Sequence, residues 1–349
     1  MSKHFANDVD TLVHESIEGL LALNQNLVRL GDGWPSKKVV LDQARYQLRE
    51  SGDTEGGLPV AVLCGGGSGH EPAFAGYVGN GMLSAAIAGD LFASPPVSAV
   101  LSALRHTITE SGALVVVLCY TGDRLNFGAA VEAIRAETGL DARMVIVSDD
   151  VALRDKGSMV DSATRKTSAR GLAGAMLVLK VAGAAAAANL PLDDVERVAT
   201  LVASNVTTMG VSLTSCHIPG RSHDSQRLAE NEMEYGLGAH GEPGAYKSSV
   251  ESLETIVKTV VERVGCVGDF EDHQTVQPGS DVVVLVNNMG GTTMLEFSAI
   301  VGNIRQQVED MLKCKVVRLY SVRTHKSLSC SLPPLTLNSY PFRFPHDPV

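Results

Sequence analysis

No two of the six cysteines (Cys64, Cys119, Cys216, Cys266, Cys314 and Cys330) fall in a C-x-x-C pair. That spacing removes the usual signatures of a disulfide scaffold and of a thiolate metal site, and it predicts a reduced, cytoplasmic setting. Positive charge is also short: 29 Lys and Arg face 39 Asp and Glu, for a formal net charge of -10. Such a balance favours solubility and argues against nucleic acid as a partner. Long uninterrupted apolar runs are missing. The most apolar stretch, Gly171 to Leu190, contains Lys180 and is largely alanine, which predicts a buried helix and no membrane partner. The opening residues, MSKHFANDVDTLVHESIEGL, alternate charged and apolar positions and do not read as a signal peptide. No internal repeat is visible.

What is there points to a soluble globular protein. The 349 residues, 44% of them apolar, suffice for two domains, each with its own core. Thirty-four glycines and ten histidines predict many loops, some close to ligands. Leu12, Val13, Ile17, Leu20 and Leu21 recur at helical spacing, and Gly31 to Pro35 reads as a turn. Short continuous apolar runs at Pro59–Cys64, Ala113–Cys119 and Arg143–Val147 predict buried strands. A helix over Phe127–Glu137 lies between the last two, and turn signals with small residues fill Gly81–Ile87 and Pro95–Arg105. Such runs alternating with helices predict a parallel sheet covered on both faces. Pro191, behind the alanine run, marks the expected boundary between domains. Beyond it, Gly210–Ser215, Asp281–Val286 and Val316–Tyr320 read as strands, and Val250–Val264 and Ile304–Leu312 as helices.

Three loops carry the chemistry. Gly65-Gly66-Gly67-Ser68-Gly69-His70-Glu71-Pro72 directly follows a strand, where α/β sheets collect ligands. Its glycines let backbone N–H groups approach a polar ligand. It lacks the Gly-Lys-Ser/Thr ending of a Walker loop, and His70 stands where a serine-hydrolase elbow needs glycine. Tyr120-Thr121-Gly122-Asp123 follows a second strand; Asp123 either caps the next helix or accepts a hydroxyl proton. In the third, His240 stands among Gly236, Gly238, Gly241 and Gly244, which predicts an exposed imidazole. Acidic neighbours such as Glu242 act on its pKa or its tautomer. On residues alone, each loop also reads as an ordinary turn. A zinc site on His70 and His240 lacks the H-E-x-x-H spacing that would support it.

Taken in order, G-G-G-S-G-H-E-P (65–72), G-D-L-F-A-S-P (89–95), Y-T-G-D-R-L-N-F (120–127), N-E-M-E (231–234), G-A-H-G-E-P-G (238–244) and N-N-M-G-G-T (287–292) resemble the dihydroxyacetone (glycerone) kinase family, over its substrate-binding K domain. The resemblance runs from about Phe5 to Tyr320. It implies an α/β protein of two domains: residues 1–190 with a mainly parallel sheet, and residues 191–321, smaller and mixed, carrying the reactive histidine. It implies that His240 adds to the ketone of dihydroxyacetone or a related triose as a hemiaminal. His70 then assists proton transfer, Asp123 acts as base or orienter at the accepting hydroxyl, and the backbone of Gly67, Ser68 and Gly69 holds the remaining hydroxyls. It further implies a homodimer, with no cofactor bound by this chain. ATP and Mg are expected on a helical domain or partner subunit.

The sequence departs from the family in two places. Leu118-Cys119 replaces the family's Lys-Asn, so Leu118 occupies a substrate-contacting position without its cation. Residues 322–349 contain five prolines, no glycine and one acidic residue, a composition that predicts a disordered tail or a shifted reading frame. Three alternatives to the kinase module remain open: a non-catalytic dihydroxyacetone sensor, a truncated inactive product, and an unrelated hydrolase or metal enzyme using His70 and His240.

Overall fold

The structure, a computed structural model, describes residues 5–52, 57–153, 169–214, 228–265, 276–323 and 335–339. The first sheet grows from the predicted apolar runs: β3 (Ala61–Ser68), β5 (Ala113–Leu118) and β6 (Ala142–Val147) pair in parallel. β4 (Ala85–Leu91) joins β3 in parallel, and β2 (Lys38–Asp42) and β1 (Leu27–Arg29) add antiparallel strands at that edge. The order is β1-β2-β4-β3-β5-β6.

Period-two geometry divides each buried strand between two cores. Ala61, Leu63, Val115 and Val117 face α3 (Val97–Thr107) and α4 (Thr121–Thr138). Val62, Cys64, Leu114 and Val116 share the opposite core with α1 (Leu12–Leu23), the alanine-rich α5 (Ala175–Ala187) and α6 (Leu192–Ser204). Helices therefore cover both faces, as the continuous Val/Leu runs require. Among the described residues no helix is long and apolar enough to cross a membrane.

The helix that follows the boundary expected at residue 190 packs with the elements before it. Leu192, Val195, Ala199 and Val202 of α6 belong to the first unit's core, and α6 packs on α5, β5 and β6. Pro191 starts a helix of that layer; it does not end the layer. The second unit opens with β7 (Val206–Met209) and β8 (Val211–Ser212). β8 pairs with β9 (Glu232–Tyr235), which pairs with β10 (Tyr246–Ser249).

The larger sheet of this unit has the order β12-β11-β13-β7, with β11 (Asp281–Asn288) parallel to β12 (Lys315–Arg323). Val282, Val284 and Val286 face α7 (Leu253–Gly265) and α8 (Met294–Leu312). Leu285 on the other face lies in the first unit's core, with Val283 and Tyr320 packed against it. The two units thus share apolar contacts.

The tail reading needs correction at one segment. Leu335–Ser339 forms β13, antiparallel to both β11 and β7 and between them. The alternation Leu335-Thr336-Leu337-Asn338 is a strand pattern that the neighbouring prolines mask in a compositional reading. Residues 324–334 and 340–349 lie outside the described residues.

Candidate functional site

Each of the three loops leaves a strand and turns toward one cavity. At the end of β3, Gly69 adopts φ +107°, and Phe92 Cε1 lies 2.5 Å from where its Cβ would stand. Only glycine accepts both that backbone and that neighbour. His70 follows at once. After β5, α4 begins at Thr121, with Asp123 in its first turn and 6% exposed. Tyr120, not Asp123, occupies the cap position, so the capping alternative for Asp123 falls away. After β9 the chain turns at Gly236 and returns to β10, presenting His240 from the intervening loop.

The rings of His70 and His240 meet across the two units, Nε2 to Nε2, at 2.9 Å. Phe92 packs against both rings, with centroids 5.1 Å from each, and Tyr120 packs edge-on to His240 at 5.0 Å. Phe92 itself has φ 54°, a left-handed backbone that is strained for an aromatic residue and typical of functional sites. The His240 side chain is 24% exposed. The imidazole expected to be exposed is in fact partly walled by these aromatic rings, which glycine-rich neighbours in sequence do not reveal.

Glu242 governs the other side of His240. Its Oε1 lies 3.0 Å from His240 Nδ1, and its Oε2 accepts the His240 backbone N–H at 2.8 Å. Burial pushes the Glu242 carboxyl up, but the hydrogen bond and charge of His240 outweigh it and bring it down to about 2. A carboxylate only accepts, so Nδ1 carries the proton; in the neutral ring Nε2 then holds the lone pair. His70 Nε2–H is the donor to it.

Asp123 has the opposite environment. Burial raises its carboxyl, against the lowering effects of a Ser94 hydrogen bond and the His240 charge. Its Oδ1 is buried and has no hydrogen-bond partner among the described residues. An unpartnered acceptor of this kind fits an incoming hydroxyl.

His70, His240, Asp123, Leu118 and Gly67 line one cavity of about 100 Å³. Ser68 and Gly69 do not: Ser68 is buried and its hydroxyl donates to Gly89 O at 2.8 Å. The rest of the lining is mostly apolar, including Leu172, Met176, Leu237 and Met289. Sequence reasoning missed Phe92 and Tyr120 as site residues. Phe92 lies within a family-like string, but its contact with both imidazoles depends on a backbone angle that no pattern announces. Among the described residues no group of three or more His, Cys, Asp or Glu side chains is placed to hold a metal ion.

Two imidazoles and a buried carboxylate of this α/β chain thus face one small cavity. The chain belongs to the Dak1 domain family, which it matches over residues 18–339. That match continues past Ser321, where the motif resemblance stopped. A putative 3,4-dihydroxy-2-butanone kinase of Solanum lycopersicum is 42% identical over 324 residues, covering 92% of this chain and 51% of that protein. The chain thus spans about half the length of the curated relatives it first matches. The crystal structure of the dihydroxyacetone kinase from C. freundii in complex with AMP-PNP and Mg2+ matches with TM-score 0.81 and 33% identity, over 98% of this chain and 58% of that one. A dihydroxyacetone kinase operon co-activator matches with TM-score 0.76 and 27% identity, over 93% of this chain and 91% of that one.

Proposed function

We propose that this chain is the substrate-binding module of a glycerone kinase, which catches dihydroxyacetone as a hemiaminal on His240 for phosphorylation to dihydroxyacetone phosphate. The observation that carries the reading is the 2.9 Å contact between the Nε2 atoms of His70 and His240. It joins a nucleophilic nitrogen to a proton donor at the point where a ketone would enter. The ketone displaces the contact. His240 Nε2 forms the C–N bond, and the carbonyl π pair moves to oxygen. A protonated His70 gives its Nε2–H to that oxygen and becomes neutral, while Nδ1–H of the substituted His240 ring stays bonded to the Glu242 carboxylate, whose charge balances that of the ring. A covalent bond suits so small a substrate, which buries too little area for firm non-covalent binding. It also rejects glycerol, which has no carbonyl to trap.

Asp123 then accepts the proton of the hydroxyl that attacks the phosphorus. The phosphoryl donor is ATP with Mg, held by a helical domain or partner subunit, and the module works as a homodimer. The C. freundii enzyme crystallised with AMP-PNP and Mg2+ supports an ATP donor. One observation favours a second reading, a non-catalytic dihydroxyacetone sensor: the likeness to an operon co-activator that this chain covers over 91% of its length.

The test is carbon NMR with [2-13C]dihydroxyacetone, whose carbonyl signal moves to the tetrahedral region on capture. Wild type gives that signal and His240→Ala does not; a captured signal in His240→Ala refutes the mechanism. Adding a helical ATP-loaded partner and assaying dihydroxyacetone phosphate separates kinase from sensor.

A further inference from the structure

We propose that Arg170 is a positioning residue for His240, its guanidinium pinning both ends of the loop that carries the imidazole. Arg170 Nη2 donates to Gly236 O at 2.6 Å and Nη1 to Pro243 O at 3.3 Å. These two carbonyls bracket His240 in the sequence. Its Nε donates to Asp150 Oδ2 at 2.6 Å. Both charged side chains are buried, 9% and 1% exposed.

The pair is anchored outside the loop. Asp150 Oδ1 accepts the Ala152 N–H at 2.9 Å, and the Asp150 N–H donates to Arg170 O at 3.1 Å. Asp150 lies just beyond β6 and bridges Thr208 of β7. The guanidinium is therefore fixed at the junction of the two units, under the loop from the second. Gly238 shows how closely it passes, since Arg170 Nη1 lies 2.6 Å from where a Cβ would stand.

The chemistry explains the choice of residue. His70 rides on the first unit and His240 on the second, so their contact requires the two loops to keep a fixed separation. Arginine reaches three acceptors at once through a rigid planar fork; lysine has a point charge on a flexible stem and cannot span them. A buried ion pair is weak grounds for stability alone, because an apolar pair of similar volume often serves as well. What the apolar pair lacks is any hydrogen bond to Gly236 O and Pro243 O.

The test follows from that difference and compares Arg170→Met/Asp150→Leu, which removes both charges, with Arg170→Lys. Nitrogen NMR of 15N-histidine-labelled protein reads the His240 tautomer without substrate. The capture of [2-13C]dihydroxyacetone reads the consequence, and this second arm rests on the proposed function. Both variants are expected to keep the wild-type circular dichroism. Their His240 nitrogen shifts should collapse toward a tautomer average, and capture affinity should fall by about tenfold or more, as misplacement of a reacting group predicts. Wild-type His240 shifts in a folded double variant overturn the proposal. If the double variant does not fold, wild-type shifts in Arg170→Lys overturn it instead. Absence of an adduct in wild type counts against the proposed function, and the His240 shifts alone then decide the positioning role.

Discussion

At His240 the two ring nitrogens have divided duties, Nδ1 toward Glu242 and Nε2 toward His70 and the cavity. Glu242 is the residue whose folded state depends most visibly on this arrangement. Its carboxyl lies at about 2 in the fold against 4.5 as reference, so its contribution is fully present above pH 4.5. That contribution is lost as pH falls toward 2. The stability gap between wild type and Glu242→Gln, measured by urea unfolding, should therefore shrink across that interval; a gap independent of pH contradicts the assignment. The same variant should capture dihydroxyacetone at least about tenfold more weakly at neutral pH, because an amide no longer dictates the tautomer. Asp123 runs the other way. A raised carboxyl costs stability whenever it is ionised, and the cost vanishes below its reference value of 3.8. Asp123→Asn should melt no lower than wild type at pH 7, and still form the adduct, yet lose phosphorylation when a donor partner is present. A marked drop in melting temperature would place Asp123 among structural residues.

The elements around the site differ in how openly the sequence declares them. β3, β5 and β11 are visible because buried strands must be continuous Val/Leu runs; β6 carries the same kind of run although it is an edge strand with Ile146 exposed. β4 is not, because Ala85-Ala86-Ile87-Ala88-Gly89 has little side chain to signal burial. α3 was obscured by Pro95 and Pro96, which read as a turn although Pro96 stands at the helix cap, where a missing N–H does no harm. The site divides along similar lines. His70, Asp123 and His240 announce themselves as reactive groups in glycine-rich loops, whereas Phe92, Tyr120 and Arg170 act through neighbours far away in sequence. A control for all site variants lies in α8. Thr293 and Glu296 form a capping box there, and neither lines the cavity. Thr293→Ala should cost about 1 kcal/mol of stability without altering capture; a change in capture would mean that general loosening alone disturbs the site.

Across the whole molecule, the two units are joined by an apolar surface in which Leu285 of β11 enters the first unit's core. The site depends on that joint, since one histidine comes from each side. Among the described residues β13 is the member of the second sheet with most at stake, flanked by β11 and β7, which no other described strand connects. A chain ended at Arg323 leaves β11 and β7 with unpaired backbone groups. It should lose strand signal in circular dichroism and all dihydroxyacetone capture; full retention of both would show that β13 is dispensable. Strand order also has a consequence in time. β7 opens this sheet at Val206, but its neighbour is not made until residues 335–339. At roughly 5–20 residues per second, a ribosome needs on the order of ten seconds to supply it. Throughout that wait the nascent second half bears open edges beside a first half already made. Yield in the cell should accordingly respond to translation speed and chaperone supply more than to the strength of the finished fold.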